Sequence, residues 1–229
     1  KADDDTTEGR IFHGSEMKKE TVKAAWAAAD CLSRKSIYVR TTFTSQQKKV
    51  KQAVVNICGL GLYELSINGK KVGNSEFTPL ISDYDKSVWY NTYDVTTLLQ
   101  KGNNAIGVLL GNGFYNVQGG RYRKLLISFG PPTVRLQLTI HYEDGTSQTV
   151  ASDKTWKYDF SPVTFNCIYG GEDYDARQEQ KGWNMAKFND TLWNQVVVQE
   201  GPKGVLRPQI AAPVAIMEHY SPISATHLP

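Results

Sequence analysis

The residues best suited to chemistry lie between Gly170 and Arg177, where Glu172, Asp173 and Asp175 crowd together. On a strand, Asp173 and Asp175 share one face and Glu172 takes the other. Two carboxylates on one face have three uses. They can act as acid and base in glycoside hydrolysis. They can offer oxygen ligands to a hard cation such as calcium. They can pair with Arg177 and accept loop N–H groups, a purely structural role. No other catalytic set accompanies them. The chain has no G-x-S-x-G elbow, no P-loop and no G-x-G-x-x-G. Its three cysteines, Cys31, Cys58 and Cys167, lack C-x-x-C spacing, and its four histidines are scattered, which excludes a dedicated zinc site.

The elements that would position these residues read as strands. Ile37, Val39, Thr41 and Phe43 alternate with their neighbours, the pattern of a half-buried strand. Val50–Cys58 and Leu62–Ile67 follow, and Asn68-Gly69 then predicts a tight hairpin, since both turn residues tolerate positive φ. Ser87–Tyr93, Ala105–Leu110 and Val134–Tyr142 continue the series, with a second hairpin at Asp144-Gly145. Asp94 is placed to cap a short helical turn over Val95–Leu99, and the alanine-rich Val22–Ala29 predicts another. Many short strands with no long helix predict an all-β antiparallel β-sandwich of jelly-roll type.

Composition fits this class. Of 229 residues, 40% are hydrophobic and 11% aromatic, enough for a packed core and too apolar for a disordered chain. The net charge of +3 is spread along the chain, so no nucleic-acid partner is expected. No apolar run reaches the ~18 residues of a membrane span.

Several motifs then occur in one order. They are Gly59 to Gly73 around the Asn-Gly turn, Asp83-Tyr84, Tyr93-Asp94-Val95-Thr96, Asn104 to Tyr115, and Tyr169 to Arg177. Phe188-Asn189-Asp190-Thr191-Leu192-Trp193 and Leu206-Arg207-Pro208-Gln209 with Pro213-Val214 complete the set. Together they resemble the N-terminal β-sandwich domain of bacterial α-L-rhamnosidases, family 78 glycoside hydrolases, with a galactose-binding-like jelly roll.

That resemblance implies three regions: an N-terminal extension over 1–33, the sandwich over 34–200, and a Pro-rich linker over 201–229 leading to a downstream domain. It also implies that catalysis belongs to an (α/α)6 barrel elsewhere in the protein. This chain would be a non-catalytic accessory domain, with that barrel as its partner, in a secreted, periplasmic or cell-surface enzyme acting on terminal α-L-rhamnose. The rival reading is an autonomous carbohydrate-binding module, calcium-dependent and rhamnose-specific like some relatives. The corresponding loop here reads Gly73-Asn74-Ser75-Glu76, without an Asp-Asn pair as such.

For a sugar ligand, the expected contacts are Asn74 and Glu76, Asn112 and Tyr115, and Glu172, Asp173 and Asp175. There oxygen-bearing side chains gather beside aromatics in loops. No catalytic residue is assigned and no metal ligand is fixed. The one ion such donors suit is calcium.

Overall fold

The computed structural model describes residues 25–28, 35–117, 121 and 125–224. Two sheets pack face to face. The larger runs in the order Val197–Gln199, Trp26–Ala28, Thr133–Tyr142, Val50–Leu60, Ser87–Asp94, Val205–Pro208, with Ser147–Ala151 also paired to Thr133–Tyr142. The second runs Asn194–Gln195, Lys157–Phe160, Ile37–Thr44, Asn103–Gly111, Leu62–Ile67, Lys70–Lys71. Val205–Pro208 lies parallel to Ser87–Asp94, while the other pairings within these two sheets are antiparallel. This is the antiparallel β-sandwich expected from the alternation.

The alternation also says which side chains meet. Ala53, Val55 and Ile57 from the larger sheet, with Leu136, Leu138 and Ile140, face Val39, Leu65, Ile106 and Val108 from the second. A side chain of this kind gains about 1.5–3 kcal/mol on burial, so these paired faces supply the main drive for closing the sandwich. A second cluster, with Trp26, Cys58, Leu60, Tyr90 and Tyr115, packs on the other face of the larger sheet, since Cys58 and Leu60 point away from Val55 and Ile57. Asn68 and Gly69 sit at φ 51° and 83°, as the hairpin signal requires. Asp94 Oδ1 accepts the Thr96 N–H ahead of the 3-10 turn Thr96–Leu98, one residue shorter at each end than expected.

Two sequence expectations need adjusting. Trp26–Ala28 is a strand in the larger sheet, not a helical turn, because Ala27 and Ala28 pair with both Thr133–Val134 and Val197–Val198. Tertiary pairing here outweighs alanine's helical preference; Val22–Ala24 and Ala29 lie outside the described residues. The Pro-rich segment after 201 is extended, but it is tied down: Val205–Pro208 joins the larger sheet and Val214–Ala215 pairs with Ser75–Glu76. Cys58 and Cys167 are buried free thiols, while Cys31 lies outside the described residues.

Residues 176–196 cover the outer face of the six-stranded sheet. Trp183 stacks on Tyr38 with ring centroids 4.0 Å apart. Gly107 permits this approach, since a Cβ there would lie 2.7 Å from the Trp183 ring and from Asn184 Cβ. Arg40, fully buried, reaches out to this cover, donating to the Met185 carbonyl at 2.9 Å and pairing with Asp190.

Burial pushes the Tyr38 and Tyr84 phenols up to about 12, and raises Tyr63 and Tyr93 as well. The fold therefore prefers these phenols neutral. Their stabilising contribution is complete below the unfolded tyrosine value near 10 and is lost as pH rises toward 12. Tyrosinate absorbance and circular dichroism followed together should show cooperative alkaline unfolding in that window. Gradual tyrosine ionisation near pH 10 with the fold intact would contradict it.

Candidate ligand-binding site

A cavity of about 400 Å³ opens beside the second sheet. Three chain segments meet around it. Leu62, Tyr63 and Glu64 come from the strand that precedes the Asn-Gly turn, and Glu76 and Phe77 follow that hairpin. Gly111 and Gly113 bring in the loop after Asn103–Gly111, and Ile168 and Glu172 come from the hairpin of Val163–Cys167 with Gly171–Tyr174.

The floor is apolar and the rim is acidic. Glu76 pairs with Lys71 at 2.6 Å, and the same ammonium stands 3.8 Å from Glu64. Glu172 is exposed, opposite Asn166 in its hairpin. Phe77 is held at φ 50° and the residue is 66% exposed. A bulky residue in the left-handed region is sterically costly, so local structure forces this aromatic onto the rim. Carboxylates can accept hydroxyl hydrogen bonds from a polyol while apolar groups take its C–H faces, which is the chemistry the cavity offers.

The expected ligand contacts divide sharply. Glu76 and Glu172 line the cavity; Asn74 is exposed nearby on the Glu76 loop. Asn112 is fully buried, its N–H donating to Asn166 Oδ1 at 2.7 Å and its Oδ1 accepting from Asn116 at 2.7 Å. It holds the loop in place. Tyr115 lies in the second core cluster and donates to the Phe129 carbonyl. Asp173 pairs with Arg121 at 2.5 Å, and that guanidinium lies 4.8 Å from the Phe165 ring centre.

Asp175 accepts from Arg177 Nε at 2.8 Å, from Arg177 Nη2 at 2.9 Å and from the Arg177 N–H, capping the 3-10 turn Ala176–Gln178. The Arg177 guanidinium, then Gln178, hold its carboxyl well below the usual carboxylate range. A general acid needs the opposite shift. Asp173 and Asp175 thus each have their own arginine, the structural use among the three the sequence allowed. Among the described residues no group of three or more His, Cys, Asp or Glu side chains gathers to hold a metal.

The sequence reading missed Glu64 and Phe77. Glu64 was legible, since alternation puts Leu62, Glu64 and Ser66 on the face away from Leu65 and Ile67. No sequence signal marks the backbone of Phe77.

The model of the alpha-L-rhamnosidase N-terminal domain matches residues 48–218. An alpha-L-rhamnosidase of Formosa agariphila is 45% identical over 150 residues, 64% of this chain and 16% of that protein. The structure of the alpha-L-rhamnosidase from Dictyoglumus thermophilum superimposes with TM-score 0.80 and 36% identity, covering 91% of this chain and 24% of that one. The Streptomyces avermitilis alpha-L-rhamnosidase complexed with L-rhamnose gives TM-score 0.72 and 33% identity over 85% of this chain and 18% of that one. The chain spans about a fifth or less of the curated relatives it matches.

Proposed function

The chain belongs to the α-L-rhamnosidase N-terminal domain family, and from that premise we propose that it serves as the non-catalytic accessory sandwich of an α-L-rhamnosidase. The observation that carries the reading is the family match over 48–218, together with relatives several times longer than this chain. In this reading the whole enzyme cleaves terminal α-L-rhamnose from glycans or glycosides, outside the cell or at its surface. An (α/α)6 domain supplies the acid and base, and the sandwich supports it. The pairing of Asp173 with Arg121 and of Asp175 with Arg177 fits a supporting role. The test is the parent protein carrying Asp190→Ala, which weakens the sandwich alone. Its inactivation temperature should fall while KM for an aryl α-L-rhamnoside stays unchanged at low temperature. An unchanged inactivation temperature would overturn the supporting role.

A second reading is carbohydrate binding by this domain. It is favoured by the meeting of Glu76, Glu172 and the exposed Phe77 around one cavity. A single shallow site of this kind gives Kd on the order of 0.1–1 mM, about 4–5.5 kcal/mol. Calorimetry with L-rhamnose should then show heat that is lost in Glu76→Ala/Glu172→Ala. Runs with calcium and with chelator decide whether an ion takes part. No heat in either condition removes this reading.

A further inference from the structure

Away from the cavity, a groove of about 180 Å³ opens among Ile81, Tyr84, Phe114, Leu125, Ile127 and Phe129. Its floor is aromatic: the Tyr84 ring meets Tyr115 at 5.1 Å and Phe129 at 5.3 Å, both edge-on. Its walls are open to solvent, with Ile81 57% and Phe129 50% exposed and Leu126 beside them at 60%. Aromatics around a pocket, ringed by exposed aliphatic side chains, form the type of patch that anchors a protein interface.

We propose that this groove is the docking surface for another segment of the same polypeptide, one presenting an apolar side chain flanked by lysine or arginine. The inference rests on the accessory-domain reading and adds to it the surface and the chemistry of contact. Charge selects the partner. Among the described residues that line it, Asp83 and Asp85 carry the charge, and Lys86, next in sequence, is held by Asp83 at 2.8 Å. The described lining of the groove is acidic, which a basic partner complements. A second copy of this chain would have to supply that basic, apolar feature from its own surface, and the groove itself is acidic on both copies.

Continuity selects the same polypeptide. The Gly204 N–H donates to the Tyr84 carbonyl at 3.0 Å, and the Val205 N–H to the Lys86 carbonyl at 3.0 Å. The Leu80 N–H donates to Gln209 Oε1 at 3.0 Å. The C-terminal stretch is therefore tied along the flank of the groove, and Ile210, 77% exposed, comes next. A covalently attached neighbour meets the groove at high effective concentration, which favours even modest contacts.

The experiment uses the parent protein with Ile81→Cys, its thiol alkylated with a maleimide, and wild-type parent as the blank. Docking predicts alkylation more than about tenfold slower than in the urea-unfolded parent, as for a site open under a tenth of the time. It also predicts a carbodiimide cross-link from Asp83 or Asp85 to a lysine outside residues 1–229. Hydrogen exchange of 125–129 in wild-type parent gives the same reading without substitution. An unfolded-like rate, fast exchange and no cross-link overturn the proposal. Protection that vanishes on dilution, with cross-links between copies, overturns it in favour of self-association. Turnover of an aryl α-L-rhamnoside, measured on the same sample, separates the two levels. An active parent with an open groove defeats the docking surface alone, and an inactive parent with a covered groove defeats the enzyme reading alone.

Discussion

Asp190→Ala is expected to destabilise the chain by about 3–5 kcal/mol, the cost of removing one partner from a buried ion pair. Arg40 is completely enclosed between the six-stranded sheet and the segment that covers it. Asp190 neutralises it and also accepts from Lys157 at 2.9 Å. Without the carboxylate, Arg40 keeps the Met185 carbonyl and the Phe188 ring face, 5.4 Å from its guanidinium. Neither carries a full negative charge. At roughly 2–4 °C per kcal/mol for a chain of this size, melting should fall by about 6–20 °C. Arg40→Met with Asp190→Leu removes both charges and should recover most of the loss, because apolar replacement of a whole buried pair is often neutral. A single variant that melts within about 2 °C of wild type, roughly 1 kcal/mol or less, would mean that the pair is solvated in solution.

Asn104→Ala is the second large effect. The Asn104 side chain is fully buried and makes four hydrogen bonds of 2.8 Å to three residues. Its Oδ1 accepts from the Gln100 N–H and from Asn68 Nδ2, both at 2.8 Å, and its Nδ2 donates to the Gln100 and Gly102 carbonyls at 2.8 Å. Asn68 in turn donates to the Leu98 carbonyl and accepts the Ala105 N–H. One amide thus ties the Asn-Gly hairpin to the turn after Leu98. Each buried group left unpaired costs about 1–3 kcal/mol, so about 3 kcal/mol or more is expected after partial rescue by water. Urea unfolding should show a lower midpoint at unchanged slope. A loss under about 1 kcal/mol, the worth of one ordinary hydrogen bond, would contradict the network.

What the sequence made legible was local. Alternation gave Ile37–Thr44 and Thr133–Tyr142 their faces, and Asn68-Gly69 and Asp144-Gly145 fixed their turns, because each signal needs only neighbouring residues. Distant pairing was hidden. Trp26–Ala28 is a strand only because Val134 and Val198 flank it, and nothing in an alanine-rich stretch announces that. Arg40 alternates with Val39 and Thr41 on the face away from the core, and only the distant residues 176–196 bury it there. The candidate site was half legible for the same reason. Glu76 and Glu172 lie on the cavity as loop carboxylates should, whereas Asn112 and Tyr115 point inward, since a loop must first satisfy its own buried backbone. Asp175 and Arg177, two residues apart, pair with each other, and that pairing could be read directly.

On the proposed function, this sandwich supports α-L-rhamnoside hydrolysis without performing it. The most direct measurement is turnover of an aryl α-L-rhamnoside by the parent protein and, separately, by residues 1–229, with Asp175→Asn made in both. The expected result is turnover by the parent, retained in its Asp175→Asn variant, and none by residues 1–229, because hydrolysis needs two carboxyl groups about 5–9.5 Å apart across a sugar-sized cleft, and Asp175 is locked to Arg177. Turnover by residues 1–229 that Asp175→Asn abolishes would contradict it, as would a folded parent with no activity on any α-L-rhamnoside.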